Sequence, residues 1–340
     1  MNHLLRTAAC AIAAILFATP AAQADNAREL RVTNTSCVCF LPTNLAIKRG
    51  WLEAELNKLD VTLTIQQYED GPSQTAAFLS GSLDLAQYGS TGAASLLARG
   101  ADIKLFMLSD NEIDTEGLVA KKDSGIGKVQ DLVGKKVGVT AGTTSDYGLR
   151  AALKQGGVDA KEVNIIGVAP PAMAAAWERG DIEAAYVWDP ILSRLANAGG
   201  VKLQTIGELA KATSGKYRIV NFYAVRSEYA TQNPDVVRAY VKAIDQATTY
   251  IRDHAEEVAA EFQKDMGAET PEQAMQQIKG EEFFLSREQL GPELMGDGSA
   301  PGAMAKVLMD VWSFSFEQGN ITAAPDEAVI HRSLDPQYLK

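Results

Sequence analysis

Ser90, Thr91, Thr144 and Ser145 are the side chains best placed to do chemistry with a small molecule. They stand in two short turns, Gly89-Ser90-Thr91-Gly92 and Gly142-Thr143-Thr144-Ser145-Asp146. Each turn follows a β-rich run and opens a helical one. Backbone N–H groups at such a junction gather at the positive end of a helix, and hydroxyls beside them add donors. Each turn therefore reads as a cradle for a small polar or anionic group. The same hydroxyls also serve as plain helix caps, which is the competing reading for each residue taken singly. Three carboxylates, Glu116, Asp146 and Asp189, fall at expected strand or loop ends, where one of them suits a cationic nitrogen. Trp188 ends the strand that leads into Asp189-Pro190. An aromatic ring there packs ligand methylenes or faces an ammonium group.

Catalytic signatures are missing from the sequence. His3, His254 and His331 are scattered and none has metal-ligand spacing. There is no G-x-S-x-G elbow, no G-x-x-x-x-G-K-[ST] loop and no G-x-G-x-x-G fingerprint. Gly134-Lys135-Lys136 precedes a strand, whereas a phosphate loop follows one. Cys37 has no histidine near it in sequence, and only folding could bring one close, so a hydrolase stays open as an alternative. The pattern reads as binding without catalysis, with no cofactor and no metal.

The elements that must position these groups alternate in the α/β manner. Strands are expected at 30–33, 61–68, 83–86, 136–139, 163–168 and 182–187. Helices are expected from 43 to Gly50, at 73–79, 147–155 and 172–179, and in the C-terminal part at 234–253, 256–266 and 301–318. Ligands in parallel α/β sheets sit at the C-terminal strand ends. That rule selects four loops, 35–40, 89–92, 143–146 and 186–189, and adds Cys37 and Phe40 of the first loop to the candidates. A weak internal repeat joins Phe78-Leu-Ser-Gly-Ser-Leu-Asp-Leu-Ala86 to Trp177-Glu-Arg-Gly-Asp-Ile-Glu-Ala-Ala185. It points to two similar lobes.

Composition bounds the setting. Residues 1–24 read as an export signal, with an apolar run after Arg6 and a small-x-small site at Ala22-Gln23-Ala24, so cleavage is expected after Ala24. The chain carries 43 acidic and 32 basic side chains, a net charge of −11, and loss of Arg6 makes it one unit more negative. Such a balance disfavours nucleic acid and anionic membrane as partners. Cys37 and Cys39 would meet oxidising conditions outside the cytoplasm. Their spacing leaves two readings open, a Cys-x-Cys bridge or two packed thiols, because extended backbone puts the Cα atoms near the ~7 Å limit.

The export signal, both hydroxyl-rich turns, and above all Pro170-Pro-Ala-Met-Ala-Ala-Ala-Trp-Glu-Arg-Gly-Asp-Ile-Glu-Ala-Ala-Tyr-Val-Trp-Asp-Pro190 resemble the periplasmic solute-binding proteins of taurine-, sulfonate- and nitrate-type ABC importers. Taurine-binding proteins are the nearest match in kind. The resemblance implies a type II periplasmic-binding fold: two α/β lobes with a ligand cleft between them, joined by crossings near 116–122 and 220–226. Residues 25–115 and 225–340 would form one lobe and 116–224 the other. It implies a periplasmic monomer that captures a small organic solute, taurine or a related sulfonate, and hands it to a permease in the inner membrane. Ser90, Thr91, Thr144, Ser145, Glu116 and Trp188 match family positions. Three positions depart. Asn221 stands where taurine-binding relatives carry Asp, Asp146 where a histidine or neutral residue is usual, and the first loop differs throughout. These departures leave room for a small cationic or neutral nitrogen compound of guanidine, amine or pyrimidine type. A pyrimidine-synthesis-type enzyme on the same fold is the catalytic alternative, and a sensory receptor the regulatory one.

Overall fold

The computed structural model describes residues 28–35, 37–68 and 71–340. The expected export signal and its cleavage point lie outside the described residues. The described strands are β1 (Arg28–Thr33), β2 (Val61–Gln66), β3 (Leu85–Gly89), β4 (Ile103–Glu112), β5 (Glu116–Lys121), β6 (Lys136–Val139), β7 (Asn164–Gly167), β8 (Ala184–Trp188), β9 (Gly200–Thr205), β10 (Val220–Arg226) and β11 (Glu281–Phe283).

They form two sheets. One has the order β11-β4-β10-β3-β1-β2, the other β7-β6-β8-β5-β9. Read in the matching direction, β2-β1-β3-β10-β4 corresponds to β7-β6-β8-β5-β9. In both, three strands run parallel and the last two antiparallel to their neighbours. The internal repeat marks this correspondence. Gly81 and Gly180 each end a helix with φ of 78° and lead into the matching strands β3 and β8. Asp84 and Glu183 precede those strands, and each accepts the backbone N–H of a residue in the neighbouring strand, Arg31 at 3.0 Å and Lys136 at 3.0 Å. The repeated acid thus pins one strand beside the next.

The chain passes between sheets at 113–115, after β4, and returns after β9 through the helix Ile206–Ala212 and the segment 213–219. Strands β5 and β10 lie wholly within their own sheets, so the crossings fall just before the expected 116–122 and 220–226, the first shorter and the second longer than expected. This is the fold expected from the resemblance: two α/β lobes with a cleft between them.

Helices cover both sheets. Pro234–Asp253 buries Val237, Tyr240, Val241, Ile244, Ala247 and Ile251, a helical stripe, against the helices Leu41–Lys48 and Trp51–Asn57. Tyr240 packs edge-on against both Phe106 and Tyr223 beneath the larger sheet. Cys37 and Cys39 form a disulfide with Cα atoms 5.2 Å apart. The bridge fits because the chain turns into a tight helical turn, Val38–Phe40, where extended backbone would have held the two apart.

Candidate functional site

Five buried carboxylates meet where the two sheets face each other. On the larger sheet, Asp110 and Glu112 sit two residues apart near the end of β4, so their side chains share a face. Glu281 of β11 lies opposite Glu112, and Asn221 of β10 lies opposite Asp110. Residues directly opposed across a ladder share a face as well, which puts all four on one patch. Asn221 ties it together, donating from Nδ2 to Asp110 Oδ2 at 3.2 Å and to Glu112 Oε1 at 2.8 Å. Thr115 donates to Glu281 Oε1 at 2.6 Å. On the smaller sheet, Glu116 opens β5 opposite Trp188 of β8 and stands beside Glu112. Asp189 follows Trp188.

Two helix starts close on this patch. Ser90–Ala98 begins directly after β3, and Thr144–Gln155 begins after the loop that follows β6. Neither has a side-chain cap. They press together: a Cβ added at Gly89 would stand 2.7 Å from Thr144 Cγ2 and 3.2 Å from Asn221 Oδ1. Gly148 serves the same closeness, because a Cβ there would meet the Tyr186 ring at 2.3 Å. That contact leaves the Tyr186 hydroxyl in the field of Glu116 and Glu112.

The electrostatics are one-sided. None of the ion pairs among the described residues includes Asp110, Glu112, Glu116, Glu281 or Asp189. Burial drives all five above the ordinary carboxylate range, and like-charged neighbours add to it: Glu112 beside Asp110 and Glu116, Asp110 and Glu112 beside Glu281. Adjacent buried carboxylates cannot all ionise, which favours a shared proton between Asp110 and Glu281 and another between Glu112 and Glu116. Lys202 acts on Asp189 and favours its charged form.

The candidates separate into groups. Ser90, Ser145 and Glu116 are fully buried, and the hydroxyls of both serines and both oxygens of Glu116 lack a hydrogen-bond partner. Thr144 and Ser145 stand beside Glu116 and favour its charged form. Thr91 is buried in the first helical turn, Trp188 is half-buried opposite Glu116, and Asn221 bridges two acids. Others are committed elsewhere. Asp146 accepts from Arg150 Nε at 2.7 Å and from Asn320 Nδ2 at 2.9 Å, so it links its helix to the C-terminal segment and does not join the acid patch. Its place one turn before Arg150 explains that choice. Asp189 Oδ1 accepts the N–H of Ser193 at 2.7 Å and caps the next helix. Cys37 is locked in the disulfide, and Phe40 packs edge-on against Tyr223 at 5.9 Å.

Asp110, Glu112 and Glu281 were not among the sequence candidates. For Asp110 and Glu112 the signal was an apolar strand, Ile103-Lys-Leu-Phe-Met-Leu-Ser, that ends in acids two residues apart just before Glu116. A surface hollow lined by Asp245, Gln246, Tyr250, Asp253 and Arg287 contains none of the candidates.

Two uncapped helix starts stand at the C-terminal ends of β3 and β6. Residues 39–258 match the family model described as NMT1/THI5 like. The chain belongs to the NMT1/THI5-like family. It is 30% identical to the taurine-binding periplasmic protein of Escherichia coli strain K12 over 78% of this chain and 81% of that protein. It is 27% identical to a putative aliphatic sulfonates-binding protein of Bacillus subtilis strain 168, over 64% of each chain. Among solved structures, the alkanesulfonate-binding protein SsuA from Xanthomonas axonopodis pv. citri bound to MOPS superposes with a TM-score of 0.73 at 19% identity, covering 90% of this chain and 97% of that one. This NMT1/THI5-like chain accordingly has the periplasmic-binding fold.

Proposed function

We propose that the protein is the periplasmic receptor of an ABC importer and that its solute is a zwitterion of the amino-sulfonate type, taurine or a relative. One observation carries the reading. Two uncapped helix starts, which favour an anionic group, close over carboxylates that have no cationic partner. A molecule with a sulfonate at one end and a charged nitrogen at the other answers both. The relatives named for taurine and sulfonates support the sulfonate half. Closure brings the lobe built on the larger sheet against the lobe built on the smaller one, and the closed monomer presents both to the permease.

The number of buried acids favours a second reading, the same transport role for a cationic nitrogen compound without an anionic group. Mass spectrometry of solute released from the purified protein, with calorimetric titration of taurine and of ethanesulfonate, separates them. Taurine binding with ethanesulfonate failing supports the zwitterion. Ethanesulfonate binding as tightly as taurine would remove the carboxylates from recognition.

A further inference from the structure

Resting on the reading of the cleft as a solute site, we propose that the cationic end it recognises is a guanidinium or amidinium group, held by Asp110, Glu112, Glu116 and Glu281. The argument begins with a count of acceptors. Asp110 Oδ1, Glu112 Oε2, both oxygens of Glu116 and Glu281 Oε2 are buried and, apart from protons the acids share with one another, have no hydrogen-bond partner among the described residues. Those five oxygens belong to one contiguous chain of groups: Glu281 beside Asp110, Asn221 bridging Asp110 to Glu112, and Glu112 beside Glu116.

A substituted guanidinium presents about five N–H donors in a plane, a primary ammonium about three, and a quaternary ammonium none. Only the first matches the acceptors in number. Planar N–H forks also suit carboxylates two oxygens at a time. The matching donor from the protein is missing in type as well as number. Asn221 already spends its Nδ2 on Asp110 and Glu112, and Thr115 spends its hydroxyl on Glu281.

The cluster does not stand alone. Tyr186 is fully buried, its hydroxyl has no partner, and it faces Glu116 and Glu112. Ser145, also fully buried and unpartnered, stands beside Glu116. Both come from the smaller sheet's side, whereas Asp110, Glu112 and Glu281 come from the larger sheet. A planar cation between them touches both lobes, so it would bind the closed form far better than the open one, which is what drives closure.

Calorimetric titration of dialysed protein tests this with four probes: 2-guanidinoethanesulfonate, taurine, acetamidinium and tetramethylammonium. The guanidino compound should bind about tenfold or more tightly than taurine, since each added charge-assisted hydrogen bond is worth at least that factor. Acetamidinium should bind and tetramethylammonium should not. Glu281→Gln should weaken the guanidino compound and acetamidinium together, with the circular dichroism unchanged. Taurine binding as tightly as its guanidino counterpart overturns the inference and leaves the zwitterion reading standing. Binding of tetramethylammonium comparable to acetamidinium overturns it as well. Failure of every probe overturns both.

Discussion

Asn221 and Glu112, on different strands of the larger sheet, are joined by a 2.8 Å hydrogen bond in which the amide donates. The same Nδ2 reaches Asp110 at 3.2 Å. One amide therefore supplies donors to two acids that have no cationic partner among the described residues. A carboxylate at this position would remove both hydrogen bonds and add one more charge to a set that already cannot ionise fully. Asn221→Asp is expected to lower stability by about 2–3 kcal/mol at neutral pH, the cost of leaving buried polar groups unsatisfied. Urea denaturation at pH 7 and pH 5 checks it. The deficit should shrink at the lower pH, where the added acid is protonated, and equal stability of the two proteins at pH 7 would sink the argument.

Gly89 lies at the seam between lobes. Its φ of −63° and ψ of 160° suit any residue, so the demand for glycine there is steric and not conformational. A Cβ would stand 2.7 Å from Thr144 Cγ2. Overpacking of this kind costs about 1–3 kcal/mol, and here it falls on the contact between the two lobes, which closure over a solute must make. Gly89→Ala should weaken solute binding by roughly tenfold or more with little change in the melting temperature of the ligand-free protein. Adding Thr144→Ser, which removes the offending methyl, should restore most of the affinity. Failure of the second substitution to rescue would place the effect elsewhere.

The frame of this fold was readable because its signals are local. Glycine after an amphipathic run ended the helices at Gly81 and Gly180, and the helix expected at 234–253 matches Pro234–Asp253. The two hydroxyl-rich turns were visible for the same reason. Asp110, Glu112 and Glu281 were not, because Glu281 becomes their neighbour only when β11 pairs with β4 across a sequence separation of well over a hundred residues. Asp146 shows the converse. Its position in a helix start suggested a ligand role, but its fate was decided by Asn320, which the tertiary fold brings to it. Strand pairing, more than local propensity, wrote the acid patch.

Protonation should couple to the cleft. Burial and like-charged neighbours raise the carboxyl groups of Asp110, Glu112, Glu116 and Glu281 in the ligand-free fold. The groups that face them include Tyr186, Asn221, Thr144 and Ser145, and also Asp189, which Lys202 partly offsets. A raised acid binds its proton more tightly folded than unfolded. Its contribution to stability is therefore full below the unfolded value of about 4 and is lost as pH rises toward the folded one. A cationic solute needs the ionised form, so it displaces protons on binding. Affinity for such a solute should rise as pH rises above the ordinary carboxylate value of about 4. Titrations in buffers of different ionisation heat should show net proton release, and zero release above that value would count against the shared-proton description.

Asp84 and Glu183 occupy equivalent places in the two sheets but differ in burial, and burial should decide what each is worth. The Asp84 side chain is 2% exposed and accepts from Arg31 Nη2 at 2.6 Å and Arg226 Nη2 at 2.7 Å. Burial pushes its carboxyl up, but the hydrogen bonds from Arg31 and Arg226 outweigh that and hold it below the ordinary value. Glu183 is 33% exposed and pairs with Lys135 at 3.1 Å. Asp84→Asn should cost about 3 kcal/mol at pH 7, because it breaks a buried pair on one side. Glu183→Gln should cost under about 1 kcal/mol, as exposed pairs do. The sign with pH follows from the depressed value. Stability supplied by Asp84 is present above the unfolded value of about 4 and is lost as pH falls through the folded one. The gap between wild type and Asp84→Asn should therefore narrow on going from pH 7 to pH 3 in urea titrations. Equal losses at the two positions would mean that the repeated acid works through its backbone contact, which both share, and not through its arginines.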